Sequence, residues 1–161
     1  GRIDLATPAF VADLDRLRAR LGEPRPPLVL IGRRHLRSNN SWQHNLRTLV
    51  KGKERCVLQL HPDDAAARGL VTGQHATITT DVGSITAPVE VTDAVMPGVV
   101  SLPHGWGHDL PGVELSVAAE RPGVNVNLLA GNDHVDPLSG NPHLNGVPVE
   151  VTAAPHLEEH A

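Results

Sequence analysis

The chain has 161 residues, a net charge of −4 and only three aromatic side chains, Phe10, Trp42 and Trp106. That allows one domain with an aliphatic core, and it argues against a nucleic-acid binder, which needs aromatic faces for base stacking. A single cysteine, Cys56, excludes an internal disulfide and an iron–sulfur cluster held by about four thiolates.

No apolar run approaches the ~20 residues of a membrane span, and the first residues lack the layout of a secretory signal. The expectation is no membrane contact and a cytoplasmic location. Phe10, Val11, Leu14, Leu17 and Leu21 recur at helical spacing between Pro8 and Gly22, which predicts an amphipathic helix over 8–21. Pro24, Pro26 and Pro27 follow as a stiff, extended linker. Residues 1–27 are therefore expected to be a helix and linker entering from an upstream domain, 28–152 a compact domain and 153–161 a flexible tail.

Leu28–Ile31 reads as a short buried strand ending at Gly32. Arg33–Asn40 is a polar loop, and Asn39, Asn40 or Ser41 is a suitable cap for a helix from Trp42 to about Val50. Cys56–Leu60 is a second buried strand, with Cys56 a small core residue rather than a nucleophile. Pro62 opens a short helix that Gly69 ends, and Asp63 and Asp64 suit its first turn. His75–Thr80 alternates as a strand, Asp81–Ser84 turns, and Ile85–Val91 returns. Gly83-Ser84 resembles a self-cleaving pair, but the hairpin turn accounts for it. Val99–Leu102 is a strand, a glycine-rich loop covers 104–108, residues 109–146 are mostly loop with a short ordered piece near 126–129, and Val147–Val151 is a last strand. Several strands with few, short helices predict an all-β barrel.

Half of the chain's fourteen Lys and Arg lie between Arg33 and Arg55, opposed there only by Glu54. A basic pole on an acidic domain suits an anionic ligand, although a solvated basic face would look the same. Gly32-Arg33-Arg34-His35 after a strand offers backbone approach and guanidinium forks to a pyrophosphate. It lacks the further glycines of a P-loop or dinucleotide fingerprint. His104 and His108 have the i, i+4 spacing of a metal pair without an evident third ligand, so no metal site is expected. Glycines that bring backbone to a flat ligand are the better reading of that loop, with Trp106 as a stacking surface.

The runs Leu-Val-Leu-Ile-Gly-Arg-Arg-His-Leu-Arg-Ser-Asn-Asn-Ser-Trp (28–42), His-Pro-Asp-Asp-Ala-Ala-Ala-Arg-Gly-Leu-Val-Thr-Gly (61–73) and Met-Pro-Gly-Val-Val-Ser-Leu-Pro-His-Gly-Trp-Gly (96–107) occur in that order. Asn-Val-Asn-Leu-Leu (125–129) and Asp-Pro-Leu-Ser-Gly (136–140) follow. Together they resemble the molybdopterin dinucleotide-binding C-terminal domain of the dimethyl sulfoxide reductase type, a family that includes formate dehydrogenases and nitrate reductases. The resemblance implies a double-psi β-barrel of the aspartate decarboxylase-like kind, clamping one face of a bis(molybdopterin guanine dinucleotide) cofactor. It implies contacts from Gly32, Arg33, Arg34, His35, Asn40 and Ser41, and from Gly105 and Trp106 on the pterin side. Asn127 matches a family asparagine, with Ala130 where the family has threonine. Asn145 falls near a position where some members carry lysine.

The family's molybdenum ligand and any iron–sulfur cysteines belong to earlier domains. The isolated domain is thus expected to be non-catalytic, to carry no cofactor alone, and to partner upstream catalytic domains of the same polypeptide, in a formate dehydrogenase-like parent. The alternative is a double-psi barrel acting as a protein-interaction module of the adaptor-binding type.

Overall fold

The structure, a computed structural model, describes residues 3–155. The tail expected from 153 onward lies, from residue 156, outside the described residues. The elements in chain order are helix α1 (Pro8–Leu21), strand β1 (Val29–Arg33), helix α2 (Arg47–Val50), β2 (Leu58–Leu60), α3 (Pro62–Ala66), β3 (His75–Thr79) and β4 (Ser84–Val91). Then come β5 (Val99–Pro103), α4 (Ser116–Ala119), a 3-10 turn (Val126–Leu129), β6 (Val147–Pro148) and β7 (Glu150–Ala153).

The mainly β architecture is as expected. The strands form one curled mixed sheet in the order β6-β1-β5-β2-β4-β3-β7. β1 runs parallel to β5 with Gly32 opposite Leu102, and β2 runs parallel to β4. β3 and β4 are the antiparallel hairpin that their alternation predicted, with Ile78 opposite Ile85. Alternate residues point inward, so Leu30, Leu58, Leu60, Ala76, Ile78, Ala87, Val89, Val100 and Leu102 make one buried aliphatic cluster. The scarcity of aromatics is thus met by methyl-rich strands that pack closely.

The two ends of the sheet order meet in one stretch of chain. β6 pairs with β1, β7 pairs with β3, and only Val149 separates them. Among the described residues there are seven strands, one more than the six read from the sequence. Pro148 has no N–H to offer a ladder, and the Val149 N–H donates to the Leu28 carbonyl (3.1 Å) before the chain passes to β3.

Several local expectations change. The helix expected over Trp42–Val50 is confined to Arg47–Val50. Asn39 and Asn40 adopt left-handed φ of 42° and 64° and feed a series of turns instead of capping a helix. The Asn45 side chain turns away to accept from the Val117 and Ala118 N–H groups at the start of α4, an element that sequence patterning did not show. β2 begins at Leu58 rather than Cys56. The Glu54 carboxylate takes the Cys56 N–H, and the Arg33 guanidinium takes the Val57 carbonyl, so neither joins a ladder. Asp64 accepts from the Gly98 N–H (2.7 Å), tying α3 to the turn before β5. α1 has the bounds its pattern predicts but buries none of its residues, and Arg16–Asp136 (3.2 Å) is its ion pair to the rest of the fold.

Candidate functional site

At the C-terminal end of β1 the chain leaves the sheet beside the 144–147 segment. The Gly32 N–H donates to Asn145 Oδ1 (2.7 Å), and the Gly146 N–H donates to the Leu30 carbonyl (2.8 Å). These bonds shape a solvent-open cleft of about 240 Å3, smaller than most complete small-molecule sites. Leu30, Val126, Leu129 and Val147 give it an apolar floor; Gly32, Arg33, Arg34, His104, Asn127 and Asn145 give it polar walls.

The polar walls divide into used and unused groups. Asn145 spends its carbonyl oxygen on Gly32, which leaves its amide N–H groups for something else. Asn127 is exposed, and its side chain makes no hydrogen bond within the described residues; its backbone N–H is capped by Asn125 Oδ1 (3.0 Å). His104 Nε2 is buried without a partner. Arg34 is exposed and has no ion pair among the described residues.

Arg33 differs. Its Nη1 donates to Gln59 Oε1 (3.0 Å), the Ser101 carbonyl (2.9 Å) and Ser101 Oγ (3.2 Å), and its Nη2 donates to the Val57 carbonyl (2.9 Å). Burial lowers its pKa, opposed by the Glu90 carboxylate. The guanidinium thus fastens β1 to β5 and to the entry of β2.

The same accounting thins the basic pole. Arg47 pairs with Glu120 (2.8 Å) and Lys53 with Glu90 (3.5 Å), while Arg55 donates to the Leu49, Val50 and Lys51 carbonyls. Arg34, Arg37 and Lys51 keep no ion-pair partner among the described residues. The field remains positive: burial first, then Arg55, Arg33, Arg37 and Lys53, hold the His35 pKa below its ordinary value.

Three segments remote in sequence meet here. Gly105 (φ +88°) lies so close to the loop after β1 that a Cβ would collide with the Asn40 carbonyl. Gly107 (φ +102°) lies against Asn125, where a Cβ would come within 2.7 Å of the Asn125 Cβ. The 104–108 loop is therefore sandwiched between residues 40–41 and 125. Gly32, Arg33, Arg34, Asn127 and Asn145, of the residues singled out from sequence, line the cleft; His35, Asn40, Ser41, Gly105 and Trp106 do not. Trp106 is 6% exposed and stacks on His44 with ring centroids 4.0 Å apart, so its indole faces the loop cluster rather than solvent.

One histidine, His44, escaped the sequence reading. His104 and His108 do not face each other as a metal pair; His104 lines the cleft, and His108 Nε2 lies 2.7 Å from Nδ1 of the buried His44. Among the described residues, no three His, Cys, Asp or Glu side chains are grouped to hold a metal ion. The available signal was that Ser-Trp-Gln-His and Gly-Trp-Gly-His each end a loop on histidine, but nothing local says that the two loops touch.

A family model described as "Molydopterin dinucleotide binding domain" matches residues 28–148. The dimethyl sulfoxide/trimethylamine N-oxide reductase of Rhodobacter capsulatus is 40% identical over 83 residues, covering 52% of this chain and 10% of that protein. The molybdopterin-containing subunit of the arsenate respiratory reductase of Chrysiogenes arsenatis is 30% identical over 115 residues, covering 68% of this chain and 13% of that protein. Among solved structures, acetylene hydratase from Pelobacter acetylenicus superposes with a TM-score of 0.67 at 22% identity, over 96% of this chain and 21% of that one, which bears on the fold. The chain thus spans only about a tenth of the length of these curated relatives. It belongs to the molybdopterin dinucleotide-binding domain family of molybdenum oxidoreductases.

Proposed function

We propose that this domain holds the guanine dinucleotide form of the molybdopterin cofactor against the remainder of a larger reductase and performs no chemistry alone. The observation that carries this reading is the set of unused polar groups around one cleft. Among the described residues, Arg34, the Asn145 amide N–H groups and the Asn127 side chain are exposed without protein partners, and His104 Nε2 is buried without one, which is rare for a buried polar atom. The residues fit such a group: a free guanidinium for phosphate, amide edges for a pterin or guanine, and an apolar floor for a flat ring. When bound, the molybdenum–dithiolene group supplies the redox chemistry; these residues bind and orient it. In this assignment Arg34 and Arg37 meet phosphate, Arg33 acts from behind by holding β1, and Asn127 and Asn145 meet ring edges.

The named relatives reduce S-oxides, N-oxides or arsenate by title, so a parent of the oxide- or oxyanion-reductase kind is the preferred assignment over a formate dehydrogenase. The deciding experiment titrates the isotope-labelled 161-residue chain with guanosine diphosphate, and in parallel with cytidine diphosphate, following backbone amides by NMR. Shifts at residues 32–41 and 125–128, larger for the guanine nucleotide, support the reading. Saturating shifts around Asp81–Ser84 instead would overturn it. Equal responses to both nucleotides would leave a phosphate site and refute the guanine form.

A further inference from the structure

The loop cluster beside the cleft contains a part-buried hydrogen bond between two imidazoles. His44 is 1% exposed, its Nδ1 lies 2.7 Å from His108 Nε2, and the rings meet edge-on with centroids 4.9 Å apart. Two imidazole nitrogens at that distance share one proton: one must donate and the other accept.

The surroundings choose which. His44 Nε2 is buried without a partner. If His108 donated, neutral His44 would carry its hydrogen on that Nε2, as a buried N–H with nothing to bond. If His44 donates from Nδ1, its Nε2 is a bare lone pair. An orphaned buried N–H is the rarer arrangement in proteins, so His44 is the donor and His108 the acceptor.

One added proton keeps the bridge, because an imidazolium on either ring still donates to its neutral partner. A charge on both rings sets two N–H groups against each other across 2.7 Å. The groups facing the pair do not relieve this. Trp106 stacks on His44 but offers it no acceptor, and a charge on His35 disfavours one on His44. The Gly105 carbonyl favours the protonated form of both rings, and Asp109 that of His108, yet burial outweighs them.

We infer that His44 and His108 form a single-proton clasp between the loop after β1 and the loop after β5, and that protonation of both rings opens it. The two histidines lie on the two loops that Gly105 already holds in contact at Asn40. Opening the pair therefore moves the rim that carries Arg34 and His104. The consequence for binding rests on the cofactor assignment above; the clasp itself does not. Its sign follows from the shifts. Burial first, then His108, pushes the His44 pKa from 6.5 down to about 4, and burial lowers that of His108. The unfolded or open form takes up protons more readily, so the clasp is complete above about pH 6.5 and is lost as pH falls toward 4.

The test is long-range proton–nitrogen NMR of the imidazole nitrogens in the 161-residue chain without any nucleotide, from pH 8 to pH 4. Expected is a protonated Nδ1 on His44, both rings neutral at pH 6.5, and a common acid transition shared by the Asn40, Gly105 and Gly107 amides. In His44→Phe, which keeps a flat ring under Trp106, the pH dependence of those amides disappears and His108 titrates nearer 6.5. Rings that titrate independently at about 6.5 in the unsubstituted chain, or loop amides unmoved by the pair's transition, overturn the inference. The unsubstituted chain decides this even where the variant fails to fold. A failed nucleotide titration leaves these readouts intact, so the two readings fall separately.

Discussion

Replacing Arg33 by alanine separates a fastening role from a ligand role. The guanidinium makes four hydrogen bonds that join β1 to β5 and to the strand entry at Val57. Bonds from a charged donor contribute about 1.5–3 kcal/mol each. The four are not independent: they leave together, and water reaches a partly buried site to replace some of them. A net loss of about 3 kcal/mol is the reasoned figure, or a fall in Tm of about 6–12 °C for a domain this size. Arg34→Ala is the internal control, because Arg34 is exposed and unpaired; it should change stability by less than about 0.5 kcal/mol while weakening guanosine diphosphate binding. Urea denaturation of both variants against the unsubstituted chain, followed by far-UV circular dichroism, measures the difference. If Arg33→Ala unfolds within about 0.5 kcal/mol of the unsubstituted chain, the four bonds are incidental and Arg33 returns to the list of groups free for a phosphate.

Gly105→Ala should cost at least about 2 kcal/mol, because the new methyl meets the Asn40 carbonyl at a left-handed φ; differential scanning calorimetry reads this, and an unchanged Tm would mean that the loops are not in contact. Cys56 is buried, and burial pushes its thiol up to about 11, so at pH 8 about one molecule in a thousand carries the thiolate. A chromogenic disulfide reagent should label it only after denaturant is added, whereas rapid labelling in buffer would contradict the packing. Removing residues 1–25 should leave the denaturation midpoint of the remainder unchanged within error, since α1 buries no residue; a clear loss would reveal support from the helix that the structure does not contain.

What could be read in advance follows the range of the interaction. Ala76, Ile78, Ile85, Ala87 and Val89 announce the β3–β4 hairpin because a period of two and a turn are local properties. Pro8 and Gly22 bound α1 for the same reason. The cleft was half legible: Gly32, Arg34, Asn127 and Asn145 line it, but the sequence could not tell Arg33 from Arg34. The Arg33 guanidinium, at the last strand position, turns in to β5 and β2, whereas Arg34, just past the strand, is exposed. His44 and His108 lie 64 positions apart, and no periodicity reports a contact at that separation. The helix expected after Trp42 failed because Asn39 and Asn40 took left-handed turns and Asn45 was recruited to cap α4, a competition between local propensity and tertiary partners.

Residues 147–153 have a role in assembly beyond their contribution to the core. As the polypeptide emerges from the ribosome, β1 through β5 can pair among themselves, yet β1 and β3 each keep an unsatisfied row of N–H and C=O groups. Both rows wait for the same seven-residue stretch, which serves β1 with its first part and β3 with its last. Until it arrives the intermediate has two adhesive edges at once, the arrangement most prone to edge-to-edge association. A reading frame interrupted between Leu144 and Val147 would therefore yield inclusion bodies rather than a shortened soluble domain. The late-arriving seam covers both edges in a single stretch of chain.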